Sequence, residues 1–153
     1  MGLDMYLSKK TYVKKWEHHS PEEVFEVSVK KGGQSYDMVK TKRVSYIEEE
    51  VMYWRKANHI HNWFVQNCQN GVDECQTSYV SSENLMMLYE TLKQVSEDHS
   101  RAEVLLETAP GFFFGGTEYD EYYFEEINRT IEELEAEMIG GEFKGDYYYQ
   151  SSW

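Results

Sequence analysis

A chain of 153 residues with 41% hydrophobic and 28% charged side chains is long enough to bury a core and too apolar for a disordered segment. Its net charge of −13 is uneven: residues 1–56 hold 11 Lys or Arg against 9 Asp or Glu, and residues 57–153 hold 4 against 19. That acidity argues against direct nucleic acid binding, which needs clustered Lys and Arg on phosphates, and no apolar run approaches the roughly 20 residues of a membrane span.

The start, Met1-Gly2-Leu3-Asp4-Met5-Tyr6, lacks the charged and apolar regions of a signal peptide, and Tyr6 stands where a myristoylation signal wants Ser or Thr. A single domain over residues 1–153 in the cytoplasm is expected. Cys68 and Cys75 read as reduced thiols, since one pair does not build a secreted fold and no partner ligands stand close by for a metal.

Leu3 to Val13 reads as a strand, and Val24 to Lys30 alternates Phe25, Val27 and Val29 against polar neighbours, as a second strand would. Lys31-Gly32-Gly33-Gln34 is a turn, and Met38 to Ile47 is a weaker strand. The period then changes. Tyr53, Ala57, Ile60, Phe64 and Cys68 recur every three or four residues, which predicts a helix ended by Asn70-Gly71.

Tyr79-Val80 reads as a short strand, followed by a helix capped at Ser81 or Ser82 with the stripe Leu85, Leu88, Leu92 and Val95. Arg101 to Thr108 is helical or irregular, and Pro110 to Gly116 is a loop. A third helix is expected over about residues 118–139 with the stripe Tyr123, Ile127, Ile131, Leu134 and Met138. Thr117 is its natural cap, and Glu118, Asp120 and Glu121 fill the first turn. Gly140-Gly141 stops it, and Tyr147-Tyr148-Tyr149 rejoins the sheet. The pattern predicts an α+β fold: an antiparallel sheet with about three helices packed on one face.

The Gly-rich aromatic run from Gly111 to Tyr123 stands out. Glycines before a helix can expose N–H groups to a phosphate, but Glu118, Asp120 and Glu121 would repel an anion, and no P-loop Lys is present. The functional reading is a wall of Phe114, Gly115, Gly116, Thr117, Glu118, Tyr119, Asp120 and Tyr123 that suits a hydroxyl-rich or cationic ligand. The structural reading is a tight loop tucking Phe side chains into the core.

On the expected first helix, Trp54, Asn58 and His61 fall at i, i+4 and i+7 and share a face. That face could stack and hydrogen-bond a ligand as the opposite wall of a cleft, or be a half-buried flank of the core. His59 and His61 point apart on a helix, so no metal site is expected, and no cofactor. Catalytic residues are not assigned, because no nucleophile elbow or Cys–His signature appears. The 13 tyrosines and 4 tryptophans exceed core needs, which favours a binding protein, and the tyrosine-rich tail could serve a homo-oligomer interface.

Four blocks carry a family resemblance: Met-Gly-Leu-Asp-Met-Tyr-Leu at residues 1–7, Trp54 through Phe64, Gly111 through Tyr123, and Ser151-Ser152-Trp153. With them the chain resembles, over nearly its whole length, an uncharacterised family of small phage, prophage and bacterial proteins. The resemblance implies phage or prophage origin and the cytoplasm of a bacterial host, and it supplies no activity. By analogy with phage accessory proteins, three functions are expected. The first is non-enzymatic sequestration of a small nucleotide-derived immune signal between the two walls. The second is an acidic nucleic-acid mimic that inhibits a host defence protein. The third is a small hydrolase of a nucleotide signal, using Glu118, Asp120 or His61.

Overall fold

The computed structural model describes residues 2–153. Two compact units make up the chain. One runs from the chain start to Lys9 and again over Glu50–Trp153, and the other is Lys10–Glu49. The strands are β1 (Asp4–Tyr12), β2 (Lys30–Lys31), β3 (Gln34–Ser35), β4 (Tyr46–Arg55), β5 (Ser78–Val80) and β6 (Asp146–Ser152). The helices are α1 (Asn58–Cys68), α2 (Ser82–Glu97), the single turn α3 (Ala102–Leu105) and α4 (Glu121–Glu137).

The fold is α+β, with an antiparallel sheet in the order β4-β1-β6-β5. The C-terminal strand rejoins it, with Ser78 opposite Tyr149 and Val80 opposite Tyr147. Strand alternation sends Met5 and Leu7, Met52 and Trp54, and Tyr147 and Tyr149 to one face, all buried. Tyr6, Tyr53, Tyr79 and Tyr148 take the other face, where Tyr6 meets Tyr53 with centroids 5.4 Å apart and Tyr79 meets Tyr148 at 5.7 Å.

The helices close the buried face. Leu85, Leu88, Leu92 and Val95 of α2 and Tyr123, Ile127, Ile131 and Leu134 of α4 join one cluster with Ile60 and Phe64 of α1, as their periodicity predicts. Each fully buried Leu contributes about 1.5–3 kcal/mol of transfer free energy. The Phe64 and Tyr149 rings stack nearly parallel at 3.9 Å, which locks α1 onto the sheet. Ser81 Oγ caps α2 by accepting Asn84 N–H at 3.1 Å.

Several boundaries differ from the sequence reading. β4 continues through Arg55, so Tyr53 and Trp54 lie on a strand and the first helix starts at Asn58. Alternation decides this: Met52 and Trp54 are buried while Tyr53 between them is exposed. Lys56 then takes a left-handed conformation (φ 55°), its N–H donating to Leu3 O at 2.7 Å, and the chain turns into the helix. The third helix starts at Glu121, capped by Asp120 rather than Thr117. Asp120 Oδ1 accepts Tyr123 N–H at 3.0 Å, because residues 115–118 are held in the loop before it.

In the unit Lys10–Glu49, residues 24–29 of the expected strand over residues 24–30 form neither strand nor helix. Only Lys30–Lys31 pairs, with Gln34–Ser35 across Gly32-Gly33. An apolar face alone does not make a strand; it needs a neighbour to take its N–H groups, and Phe25 stays half-exposed. The expected strand over residues 38–47 is broken by a 3-10 turn at Thr41–Arg43 and becomes strand only from Tyr46.

His59 is 3% exposed, stacks on Tyr123 with centroids 4.1 Å apart, and donates through Nε2 to Tyr123 O at 3.2 Å. Burial pushes its imidazole down from 6.5 to about 4. Between these values the unfolded chain binds more protons, so stability rises with pH across that window. The stabilisation is full above pH 6.5 and is lost as the pH falls through 4, about 3 kcal/mol in all at 1.36 kcal/mol per pKa unit. Urea unfolding followed down this window shows the loss. His59→Phe, which keeps a ring on Tyr123, shows a shallower fall, and an equal fall in both proteins would place the titration elsewhere.

Candidate functional site

The segment between α3 and α4 is built around one amide. Asn58 at the start of α1 is 1% exposed. Its Oδ1 accepts Ala109 N–H at 3.1 Å, and its Nδ2 donates to Phe114 O at 3.0 Å and Gly116 O at 2.8 Å. Three of its four hydrogen-bonding positions thus hold the loop. Two glycines make the path passable. A Cβ on Gly111 would meet the Phe114 ring at 2.4 Å, and Gly115 is left-handed (φ 83°) with its own Cβ position 3.1 Å from Lys56 Cβ.

The loop sends its three phenylalanines to different places. Phe114 turns inward, edge-on to His61 at 5.3 Å and 6.0 Å from Trp153. Phe112 and Phe113 stay outside, with Phe113 left-handed (φ 65°). Thr117 is exposed and its carbonyl accepts the Thr108 hydroxyl at 3.0 Å. The half-buried Tyr119 accepts Thr108 N–H at its hydroxyl, 3.3 Å away. Tyr123 is buried and donates its hydroxyl proton to Leu106 O at 2.6 Å.

Of the residues expected to form one site, Asn58, Gly116, Glu118, Asp120 and Tyr123 come together. With Lys56, His59, Thr108 and Tyr122 they line a cleft of about 40 Å³ at the N-terminus of α4. Burial raises the Tyr122 phenol, reinforced by the Glu126 charge, so it is a neutral wall. The cleft has room for about one water, whose share of liquid volume is about 30 Å³.

Trp54 and His61 are directed into the core. Trp54 is fully buried on β4 and donates Nε1–H to Thr130 Oγ1 at 2.8 Å, on α4. His61 is 1% exposed, with Nε2 2.9 Å from Asp73 Oδ2 and Nδ1 2.7 Å from the Tyr149 hydroxyl. The Asp73 carboxylate only accepts, so His61 donates to it through Nε2, and Nδ1 pairs with the Tyr149 hydroxyl. Burial raises the Tyr149 phenol well above its ordinary value, which keeps that hydroxyl protonated. Asp73 Oδ1 in turn accepts Trp153 Nε1–H at 3.0 Å, so the chain Tyr149–His61–Asp73–Trp153 fastens the end of β6 to α1. With both nitrogens engaged, His61 has no lone pair for a ligand.

Trp54, Asn58 and His61 therefore do not form one helix face, because Trp54 precedes the helix. His59, Thr108 and Tyr122 were not among the expected site residues. Lys56 reaches the cleft through a left-handed turn that no hydrophobic pattern marks. Among the described residues, no group of three or more His, Cys, Asp or Glu side chains is placed to hold a metal ion. Burial pushes the Cys68 thiol up to about 11, away from thiolate chemistry.

The other exposed feature is the helical layer. Glu83, Glu90 and Glu97 recur every seven residues along α2, about 10 Å apart on one side of the helix. Glu121, Glu125, Glu132, Glu133 and Glu135 are exposed along α4. The two helices meet through Tyr89–Glu135 at 3.0 Å and Ser96–Asn128 at 3.0 Å, which joins the two acidic rows. Glu126 is buried against Arg129 at 2.7 Å and does not belong to the exposed set.

No protein family, curated protein or solved structure matches the chain.

Replacing Asn58 by Ala removes three hydrogen bonds and leaves the Ala109 N–H and two carbonyls without their partner. A loss of about 2–4 kcal/mol in unfolding free energy is expected, at 1–3 kcal/mol per unsatisfied group with partial hydration. Amide exchange at Ala109 and Phe114 should rise in the same variant. Unchanged exchange there would mean the loop is held by its other contacts.

Proposed function

We propose that the chain is a non-enzymatic binding protein that engages a basic partner through the acidic layer of α2 and α4. In the phage or prophage setting that its resemblance implies, the partner is a host defence protein whose nucleic-acid-binding groove the carboxylate rows occupy. The reading rests on one observation: exposed glutamates continue along both helices, and Lys93 and Arg129 are the cations on those two helices. Such a field raises encounter rates and selects partners by charge complementarity.

The test uses Glu125→Lys, Glu132→Lys and Glu133→Lys together, three exposed positions whose change leaves the Glu126–Arg129 pair intact. Wild type should retain a basic nucleic-acid-binding protein from host extract at low salt. It should release that protein at about 0.5 M salt, where screening is within a few ångströms, and also when duplex DNA is added. The triple variant should retain none. Retention that ignores both salt and the substitutions would sink the reading.

A second reading, capture of a small nucleotide-derived signal, is supported by the convergence of Asn58, Gly116, Glu118, Asp120 and Tyr123 on one cleft. Ligand pockets are typically about 300–1,000 Å³, so at about 40 Å³ the cleft holds a hydroxyl or ammonium group of a ligand rather than a whole nucleotide. Thermal unfolding against a nucleotide panel tests it. A shift that Glu118→Gln abolishes supports the reading, and no shift with any member sinks it.

A further inference from the structure

Two open clefts lie in the unit Lys10–Glu49. One cleft, of about 530 Å³, is lined by Ser28, Ser35, Tyr36, Thr41, Lys40 and Lys42 among others. The second, of about 520 Å³, has an apolar lining of Val13, Trp16, Phe25, Val27 and Val44 with Lys15, Glu17, Thr41 and Lys42. The two share Val27, Thr41 and Lys42. Each has the volume of a small-molecule site.

Their chemistries are complementary halves. The second cleft offers aromatic and branched apolar surface. Trp16 is fixed there, its Nε1–H donating to the Tyr12 hydroxyl at 2.6 Å and Lys14 Nζ lying 5.0 Å from its ring. The first cleft offers hydroxyls and ammonium groups. Lys40 is oriented by donating to Asp37 O at 2.9 Å. The Lys42 side chain, on both linings, has no hydrogen bond or ion pair among the described residues. A cation with no carboxylate partner, in a chain of net charge −13, faces both clefts.

We infer that these two adjacent clefts, which share three lining residues, form a binding site for a mononucleotide-class anion, a flat aromatic ring carrying a sugar and a phosphate. The ring lies against Trp16 and Phe25, where stacking is tolerant of base identity. The phosphate meets Lys42 and Lys40, with Thr41, Ser28 and Ser35 as hydroxyl donors. Asp37 and Glu17, the two carboxylates on the lining, suit the sugar hydroxyls and would repel a second phosphate placed near them. The inference is independent of the acidic helical layer and of the cleft at α4.

Calorimetric titration of the full chain with adenosine monophosphate, adenosine and inorganic phosphate as separate probes tests it. Adenosine monophosphate should bind with Kd below about 1 mM, and each fragment at least tenfold more weakly, since each engages one cleft only. Lys42→Ala, at an exposed position, should weaken adenosine monophosphate about tenfold, Lys42→Arg should restore most of the loss, and Lys144→Ala, at an exposed lysine outside both clefts, should change nothing. Three results overturn the inference: no binding of any of the four common mononucleotides at several times that concentration, Lys42→Ala with unaltered affinity, or a single-stranded oligonucleotide that binds while the mononucleotides do not.

Discussion

A buried primary amide at the first position of a helix has more hydrogen-bonding capacity than the helix itself can use, and at Asn58 the surplus is spent across the chain. Its carbonyl and amino groups fix Ala109, Phe114 and Gly116, three points on a loop about fifty residues away in sequence. Phe114 can then turn inward against His61, and the chain arrives at Asp120 with a carboxylate in place to start α4. α4 in turn supplies Thr130 to the Trp54 indole and closes the core. An unpaired buried amide would cost about as much as several ordinary hydrogen bonds gain, so these elements are fixed together or not at all.

Charge is divided along the chain in a way that its surfaces reflect. Carboxylates follow the outer sides of α2 and α4, where only water and dissolved partners meet them. Lys15, Lys40 and Lys42 lie on open clefts that Trp16, Phe25 and Tyr36 also line. Neither arrangement stabilises the fold appreciably, since exposed charges contribute little. The unit Lys10–Glu49 holds 8 Lys or Arg against 7 Asp or Glu and is close to neutral, so the chain's net charge of −13 sits almost wholly in the other unit.

Much of the fold was legible because it rests on periodicity. The stripes Leu85–Val95 and Tyr123–Leu134 are buried where a period of 3.6 puts them, and Tyr147 and Tyr149 return to the sheet by alternation. Errors arose where two periods overlap. Tyr53, Ala57 and Ile60 fit a helix, while Met52 and Trp54 fit a strand, and burial of the indole against α4 decided for the strand. Thr117 and Asp120 are both good caps, and the choice was made by Asn58 holding residues 114–116. The 40 Å³ cleft gathers five of the expected site residues, yet its volume depends on side-chain packing that no sequence pattern encodes. Trp54 and His61 attracted a functional reading because polar aromatic groups suit ligands, and the same groups serve a core that has Thr130, Tyr149 and Asp73 to satisfy them.

The outer edge of β4 is finished in an unusual way. Where the strand leaves the sheet, the Tyr122 hydroxyl donates to Arg55 O and Arg129 Nη2 donates to Tyr53 O at 2.9 Å, so α4 side chains occupy carbonyls that another strand would seek. At the opposite border stands β5, only three residues long. The clasp takes the last two outward carbonyls of β4, and β5 is short, so at these two places a neighbouring molecule finds little backbone to pair with. The C-terminal end of β4 is thus tied to α4 rather than left for a fifth strand.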